Sequence, residues 1–121
     1  MITFEDRIRQ ELPGFAAEQV GELARILTCL VATFQPDSVY VFGSHARGEA
    51  TAESDIDLLI VVQSADQPAH RLAQAAYHSL PSHSLAVDIL VMPKDEFTRR
   101  SRASASLPAT VLREGRTLYA A

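Results

Sequence analysis

The stretch "VFGSHARGEATAESDIDLLIVV", residues 41–62, decides how this chain is read. It ends an apolar run at Gly43-Ser44, crosses some ten mostly small or polar residues, then sets Asp55 and Asp57 against the aliphatics Leu58 to Val62. "IDLLIVV" (56–62) is a near-continuous apolar run, the pattern of a strand covered on both faces. "SVYVF" (38–42), β-branched and aromatic, reads as a second strand, so Gly43-Ser44 is the turn at its end. Residues i and i+2 of an extended chain project from one face, about 7 Å apart. Asp55 and Asp57 are therefore expected together at the mouth of a buried strand. Two such carboxylates repel, and both ionise comfortably near neutral pH only beside a cation.

Helical patterns surround these strands. Phe4, Ile8 and Leu12 share one face of a helix over 3–12, with Thr3 and Asp6 as its capping box, and Pro13-Gly14 ends it. Residues 15–34 carry the stripe Val20, Leu23, Leu27, Leu30, Val31 and Phe34, with Glu18, Glu22 and Arg25 outside it. Pro36 ends this helix. A further helix is expected over 66–79, closed by Pro81. "LAVDILVM" (85–92) is a third strand with one charge inside it, Asp88. Helices from Pro93 to about Arg102 and over 107–113 follow, and "TLYA" forms a short edge strand. Helices alternate with strands in an α/β arrangement, a small mixed sheet flanked by helices. The expected organisation is a single domain over 1–121: N-terminal helices 3–34, a core of 38–92, and C-terminal helices and tail 93–121.

Composition narrows the class. The 121 residues are 47% hydrophobic and 21% charged, the balance of a globular chain. The net charge of −4 gives no overall pull towards nucleic acid. Residues 94–116 nevertheless hold six basic side chains against three acidic, leaving +3 there and −7 elsewhere. A single cysteine, Cys29, excludes an intramolecular disulfide and a cysteine-built zinc cluster. No apolar run approaches the roughly 20 residues that span a bilayer, and "MITFED" lacks the features of a signal peptide, so a cytoplasmic protein is expected.

The chemistry-bearing residues each admit two readings. Asp55 and Asp57 either bind a hard divalent ion such as Mg²⁺, or form a solvated strand entry. Asp88 is a third metal ligand, a proton acceptor for an attacking hydroxyl, or an edge-strand carboxylate facing water. Gly43-Ser44 receives phosphate oxygens at the start of a helix begun by "SHAR", or is a plain turn with a serine cap. Arg47 reaches a phosphate or stays solvated. His45 contacts phosphate or base, or lies on a surface turn. His70, His78 and His83 show no ligand spacing, and Cys29 reads as a partly buried small hydrophobe. Arg99, Arg100 and Arg102 are a solvated helix end or a docking patch. A haloacid-dehalogenase-type phosphatase needs its Asp-x-Asp after the aliphatics, and neither an EF-hand loop nor a Walker A sequence is present.

Taken together, "FGSHARGEATAESDIDLLIVV" and "VDILVM" resemble the minimal nucleotidyltransferases, single-domain members of the DNA polymerase beta-like nucleotidyltransferase superfamily. The shared signature is Gly-Ser, about ten residues, Asp-x-Asp, and a later acidic residue. It spans about 50 residues of the chain, 42–91. The closing "LREGRTLYA" resembles the ends of such chains. The resemblance implies a polymerase beta-like fold in which Gly43 and Ser44 hold a nucleoside triphosphate, with Arg47 as a further phosphate contact. Asp55, Asp57 and Asp88 would bind two Mg²⁺ ions and form the catalytic set, with ATP as substrate. His45 departs from the family, where many relatives carry arginine or another long side chain.

Larger relatives carry a second domain for the acceptor, and a 121-residue chain read as one nucleotidyltransferase domain is not expected to hold one. The resemblance therefore implies that a partner presents the acceptor: a HEPN-domain toxin whose tyrosine is adenylylated, with this chain as antitoxin. Two other readings stay open. One is a binding module that neutralises its partner by docking alone; the other is transfer to a small molecule or RNA end.

Overall fold

The computed structural model describes residues 2–51 and 54–121; Ala52 and Glu53, inside the Gly-Ser to Asp-x-Asp interval, lie outside the described residues. The elements run α1 (Phe4–Glu11), α2 (Ala17–Phe34), β1 (Ser38–Phe42), β2 (Ile56–Val62), α3 (Ala69–Ser79), β3 (Val87–Pro93), α4 (Lys94–Arg100), α5 (Leu107–Glu114) and β4 (Arg116–Ala120). The strands form one mixed sheet in the order β3-β2-β1-β4. β1 is antiparallel to β2 and to β4, whereas β2 and β3 are parallel. This is the small mixed sheet flanked by helices that the sequence implied. Among the described residues no helix is long and apolar enough to cross a membrane.

The near-continuous apolar run of β2 follows from its position between two strands and two helical layers. Ile56, Leu58, Ile60 and Val62 face the cluster that holds Leu23, Ile26, Leu27 and Leu30 of α2, with Ile8 of α1 and Ala76 of α3. Leu59 and Val61 point the other way, to Phe97 of α4 and Val111 of α5. Each fully buried aliphatic here contributes about 1.5–3 kcal/mol, so β2 is the most heavily anchored strand in the sheet. Phe97 also stacks on Tyr40 of β1 at 5.6 Å and 8°. The two faces thus differ: α1, α2 and α3 cover one, α4 and α5 the other. By alternation Asp57 belongs to the α4–α5 face.

Local chemistry accounts for most boundaries. The Thr3–Asp6 capping box forms as expected, with Asp6 N donating to Thr3 Oγ1 at 3.1 Å. α2 begins at Ala17, and its first free amide is met by Gln19 Oε1, which accepts from Ala16 N at 2.9 Å. Several elements fall inside their expected bounds. α3 starts at Ala69 because Pro68, extended at ψ 149°, holds the N-cap and disfavours helix before it. β3 starts at Val87 because Glu22 of α2 takes the amides of Ser84 and Leu85. "SHAR" makes one turn rather than a helix. Arg47 N reaches Gly43 O at 3.2 Å and Glu49 N reaches Ser44 O at 2.9 Å. Gly48, in the left-handed region at φ +72°, then turns the chain away.

Candidate active site

Gly43 leaves the C-terminal end of β1 and Asp57 is the second residue of β2, directly opposite Phe42 in the antiparallel register. The turn and the carboxylate are therefore held against each other by the β1–β2 ladder. Gly43 has φ +76°, and a Cβ there would fall on Asp57 Oδ2, with Cγ 3.2 Å away. Only glycine admits both that backbone and that close approach. The Gly of the Gly-Ser pair is thus required by the carboxylate beside it, in addition to any ligand.

The parallel pairing of β2 with β3 sets Asp57 opposite Asp88. Alternation puts both on the α4–α5 face, since Ile89 and Val91 point into the opposite cluster. Asp55 precedes β2 by one residue and is exposed. Burial, then Asp88, then Asp55 push the Asp57 carboxyl above its usual range, opposed by the positive fields of His45 and Arg47. Burial is the larger cause; the part due to Asp88 and Asp55 is the repulsion foreseen for crowded carboxylates, which a divalent cation would relieve. Asp88 is exposed on an edge strand, so the edge-carboxylate reading and the site reading describe the same residue. Its placement is second in β3 rather than mid-strand.

Among the described residues no three His, Cys, Asp or Glu side chains form a cage for a metal by themselves. An ion at this face would need additional oxygens from its ligand. Mg²⁺ suits that arrangement, because it is commonly held by one or two carboxylates completed by waters and substrate phosphates. The donor set fits a phosphate-bridged divalent ion, not a preformed all-protein site.

The remaining sequence candidates divide. Ser44 is half-buried in the turn, and its carbonyl closes the loop with Glu49 N. Arg47 is exposed and pairs with Glu49 at 2.6 Å. That contact chiefly raises its pKa, with smaller contributions from Glu114 and Asp57. His45 ties the turn to the strand entry: its Nε2 lies 3.1 Å from Ser54 O and its ring meets Phe15 edge-on at 5.2 Å. Clefts of about 410 and 360 Å³ open on either side of His45. Neither includes Asp57 or Asp88 in its lining; Asp55 and Asp88 are exposed and Asp57 is half-buried. In the basic segment, Lys94 pairs with Asp37, Arg100 with Glu96, and Arg113 bonds Ser104 O, whereas Arg99, Arg102 and Arg116 are exposed.

Two residues had no warning in the sequence. Glu22, read as a solvent-facing helix residue, accepts from Ser84 N, Ser84 Oγ (2.9 Å) and Leu85 N (3.0 Å), fixing the approach to β3. Tyr77 of α3 donates to Asp88 Oδ1 at 3.3 Å and accepts from Ile89 N at 2.7 Å. Both contacts are long-range or cross-element, where periodicity carries no signal.

The nucleotidyltransferase domain family model matches residues 23–113, a span that takes in the Gly-Ser turn and all three carboxylates. The chain belongs to this family. The matched span contains Gly43, Ser44, Arg47, Asp55, Asp57 and Asp88. Two Methanocaldococcus jannaschii proteins, each named "Putative protein adenylyltransferase", resemble this nucleotidyltransferase domain. One is 40% identical over 57 residues, 47% of this chain and 56% of its own length, so the match spans little more than half of that relative. The other is 33% identical over 81 residues, 67% of this chain and 76% of the relative. Among solved structures, a "putative nucleotidyltransferase" from Sulfolobus solfataricus matches at 24% identity and a TM-score of 0.47, over 71% of this chain and 83% of that one. A toxin-antitoxin structure with AMP-PNP matches at 24% identity and a TM-score of 0.45, over 79% and 72%.

Proposed function

We propose that this nucleotidyltransferase domain moves AMP from ATP to a hydroxyl of a partner protein, a tyrosine of a HEPN-type toxin, and so acts as an antitoxin in the cytoplasm. The observation that carries the transferase reading is Asp57, placed by strand pairing between the Gly43 turn and Asp88. The relatives named as protein adenylyltransferases support a protein acceptor. The HEPN tyrosine rests on the resemblance of "FGSHARGEATAESDIDLLIVV" to minimal nucleotidyltransferases.

Asp55, Asp57 and Asp88 would hold two Mg²⁺ ions, which supply charge neutralisation at the triphosphate and at the attacking oxygen. Gly43 and Ser44 present the turn amides and a hydroxyl to the triphosphate, and Arg47 stands one turn away. The acceptor oxygen forms a bond to the α-phosphorus as the α–β bridging bond breaks. The hydroxyl proton goes to Asp88, and pyrophosphate leaves towards Gly43-Ser44. Most of the acceleration in such a step comes from placement and field, not from covalent chemistry with the protein.

The test is label transfer from α-phosphate-labelled ATP with Mg²⁺, using lysate of the source organism as acceptor. A labelled protein band is expected with the natural sequence and is lost in the Asp55→Asn/Asp57→Asn double variant; mass spectrometry then names the modified residue. Equal neutralisation of a co-purifying partner by both versions, without label, would establish docking in place of transfer. Label on RNA or on a small molecule would reassign the acceptor.

A further inference from the structure

Asp88 stands at the margin of the proposed set of carboxylates. It lies on an edge strand, is exposed, and has a covalent neighbour, Ile89, whose amide points away from β2. A carboxylate in that position loses rotamer freedom when it binds an ion, unless something else already holds it. Tyr77 does so. Its hydroxyl donates to Asp88 Oδ1 at 3.3 Å and accepts from Ile89 N at 2.7 Å, so the phenol oxygen is pinned to the backbone one residue beyond the carboxylate it orients. The helix that delivers it is anchored immediately beforehand: Ala76 is fully buried in the core, and Tyr77 follows at the rim of α3. The tyrosine thus reaches round the edge of the sheet from the α1–α3 side to the α4–α5 side.

We infer that Tyr77 is a positioning residue for the nucleotidyl-transfer site, orienting Asp88 towards the divalent ion; this rests on the reading of the site given above. A tyrosine that merely closed the sheet edge would need only its bond to Ile89 N. The additional donation to the carboxylate leaves the second oxygen, Oδ2, for other ligands. Partners that orient a metal-binding side chain are typically worth roughly 10-fold to 100-fold in metal affinity or activity.

The experiment compares the natural chain with Tyr77→Phe, which keeps the ring and removes the oxygen. Mn²⁺ is titrated in the presence of α,β-methylene-ATP, which cannot undergo the reaction, and label transfer is measured separately. The expected result is Mn²⁺ affinity and kcat each lowered about 10-fold or more, with KM for ATP changed less than about 2-fold. In an Asp88→Asn background the same change should add nothing to the loss of Mn²⁺ affinity, because the hydroxyl acts through that carboxylate. Hydrogen exchange at Ile89 N should quicken in Tyr77→Phe, which verifies that the bond existed. Faster exchange at Ile89 with unaltered Mn²⁺ affinity would reduce Tyr77 to an edge cap and overturn the inference. So would an additive loss in the Asp88→Asn background, or AMP found on Tyr77 itself, which would make it an acceptor. If the natural chain binds Mn²⁺ and transfers label while Tyr77→Phe is unchanged, only this inference fails. If the natural chain does neither, the transferase reading falls and takes the inference with it.

Discussion

Asp57 is held where its charge is least comfortable. Burial and the carboxylates of Asp88 and Asp55 raise its pKa above the ordinary 3.8. The folded state therefore grips this proton more tightly than the unfolded chain does. Stability falls as pH rises from 3.8 through the raised value, and the whole penalty is present above it. Asp57→Asn should accordingly raise the metal-free melting temperature at neutral pH by a few degrees while abolishing label transfer. A melting temperature equal to or below that of the natural chain would contradict the crowding described here. Gly43 lies against the same carboxylate. Gly43→Ala imposes a left-handed backbone on an L-residue, about 1–2 kcal/mol, and drives its methyl into Asp57 Oδ2. Displacing that oxygen should cost transfer about 100-fold, since small misplacements at reacting centres carry penalties of that order. The kcat of folded Gly43→Ala, checked by circular dichroism, decides this.

Elements set where the carboxylates meet. The ladder between β1 and β2 brings the Gly43 turn to Asp57, and the parallel β2–β3 pair brings Asp88 into the same row. The start of β3 depends on α2, because Glu22 holds Ser84 and Leu85 just before it. The Leu85 amide, helped by the Ser84 hydroxyl and amide and by the field of His83, outweighs desolvation and lowers the Glu22 pKa from 4.5. For a depressed carboxylate the sign is opposite to that of Asp57. Its stabilisation is complete above pH 4.5 and disappears as pH falls through the lower folded value. Glu22→Gln should be less stable than the natural chain at pH 7, and the two should converge in acid. Urea midpoints measured from pH 7 to pH 3 would show it; curves that stay parallel throughout would refute it.

At the scale of the molecule, the sheet separates support from site. α1, α2 and α3 bury the face of Ile56, Leu58 and Ile60, whereas Asp57 and Asp88 emerge on the face shared with α4 and α5. A ligand that binds only this assembled face stabilises the whole fold by mass action, about 2.7 kcal/mol at 100 times its dissociation constant. Mg²⁺ with ATP should therefore raise the melting temperature of the natural chain, and neither component alone should match the pair. The Asp55→Asn/Asp57→Asn variant should show no such rise. An equal rise in both would place nucleotide binding away from these carboxylates.

The sequence by itself determined the strands and the two long helical patterns, and it singled out Gly43, Ser44, Asp55, Asp57 and Asp88 as the candidate site. Each is written in local terms: apolar period, turn residues, and short spacing along one strand. Sheet order, the register that sets Asp88 against Asp57, and the loss of the "SHAR" helix to a single turn at Gly48 came only with the tertiary structure. So did the roles of Glu22 and Tyr77, whose partners are 62 and 63 residues away for the first and 11 and 12 for the second. A side chain that reaches across elements is directed by packing between them. No periodicity along the chain encodes that distance, so the carboxylates were legible and their supports were not.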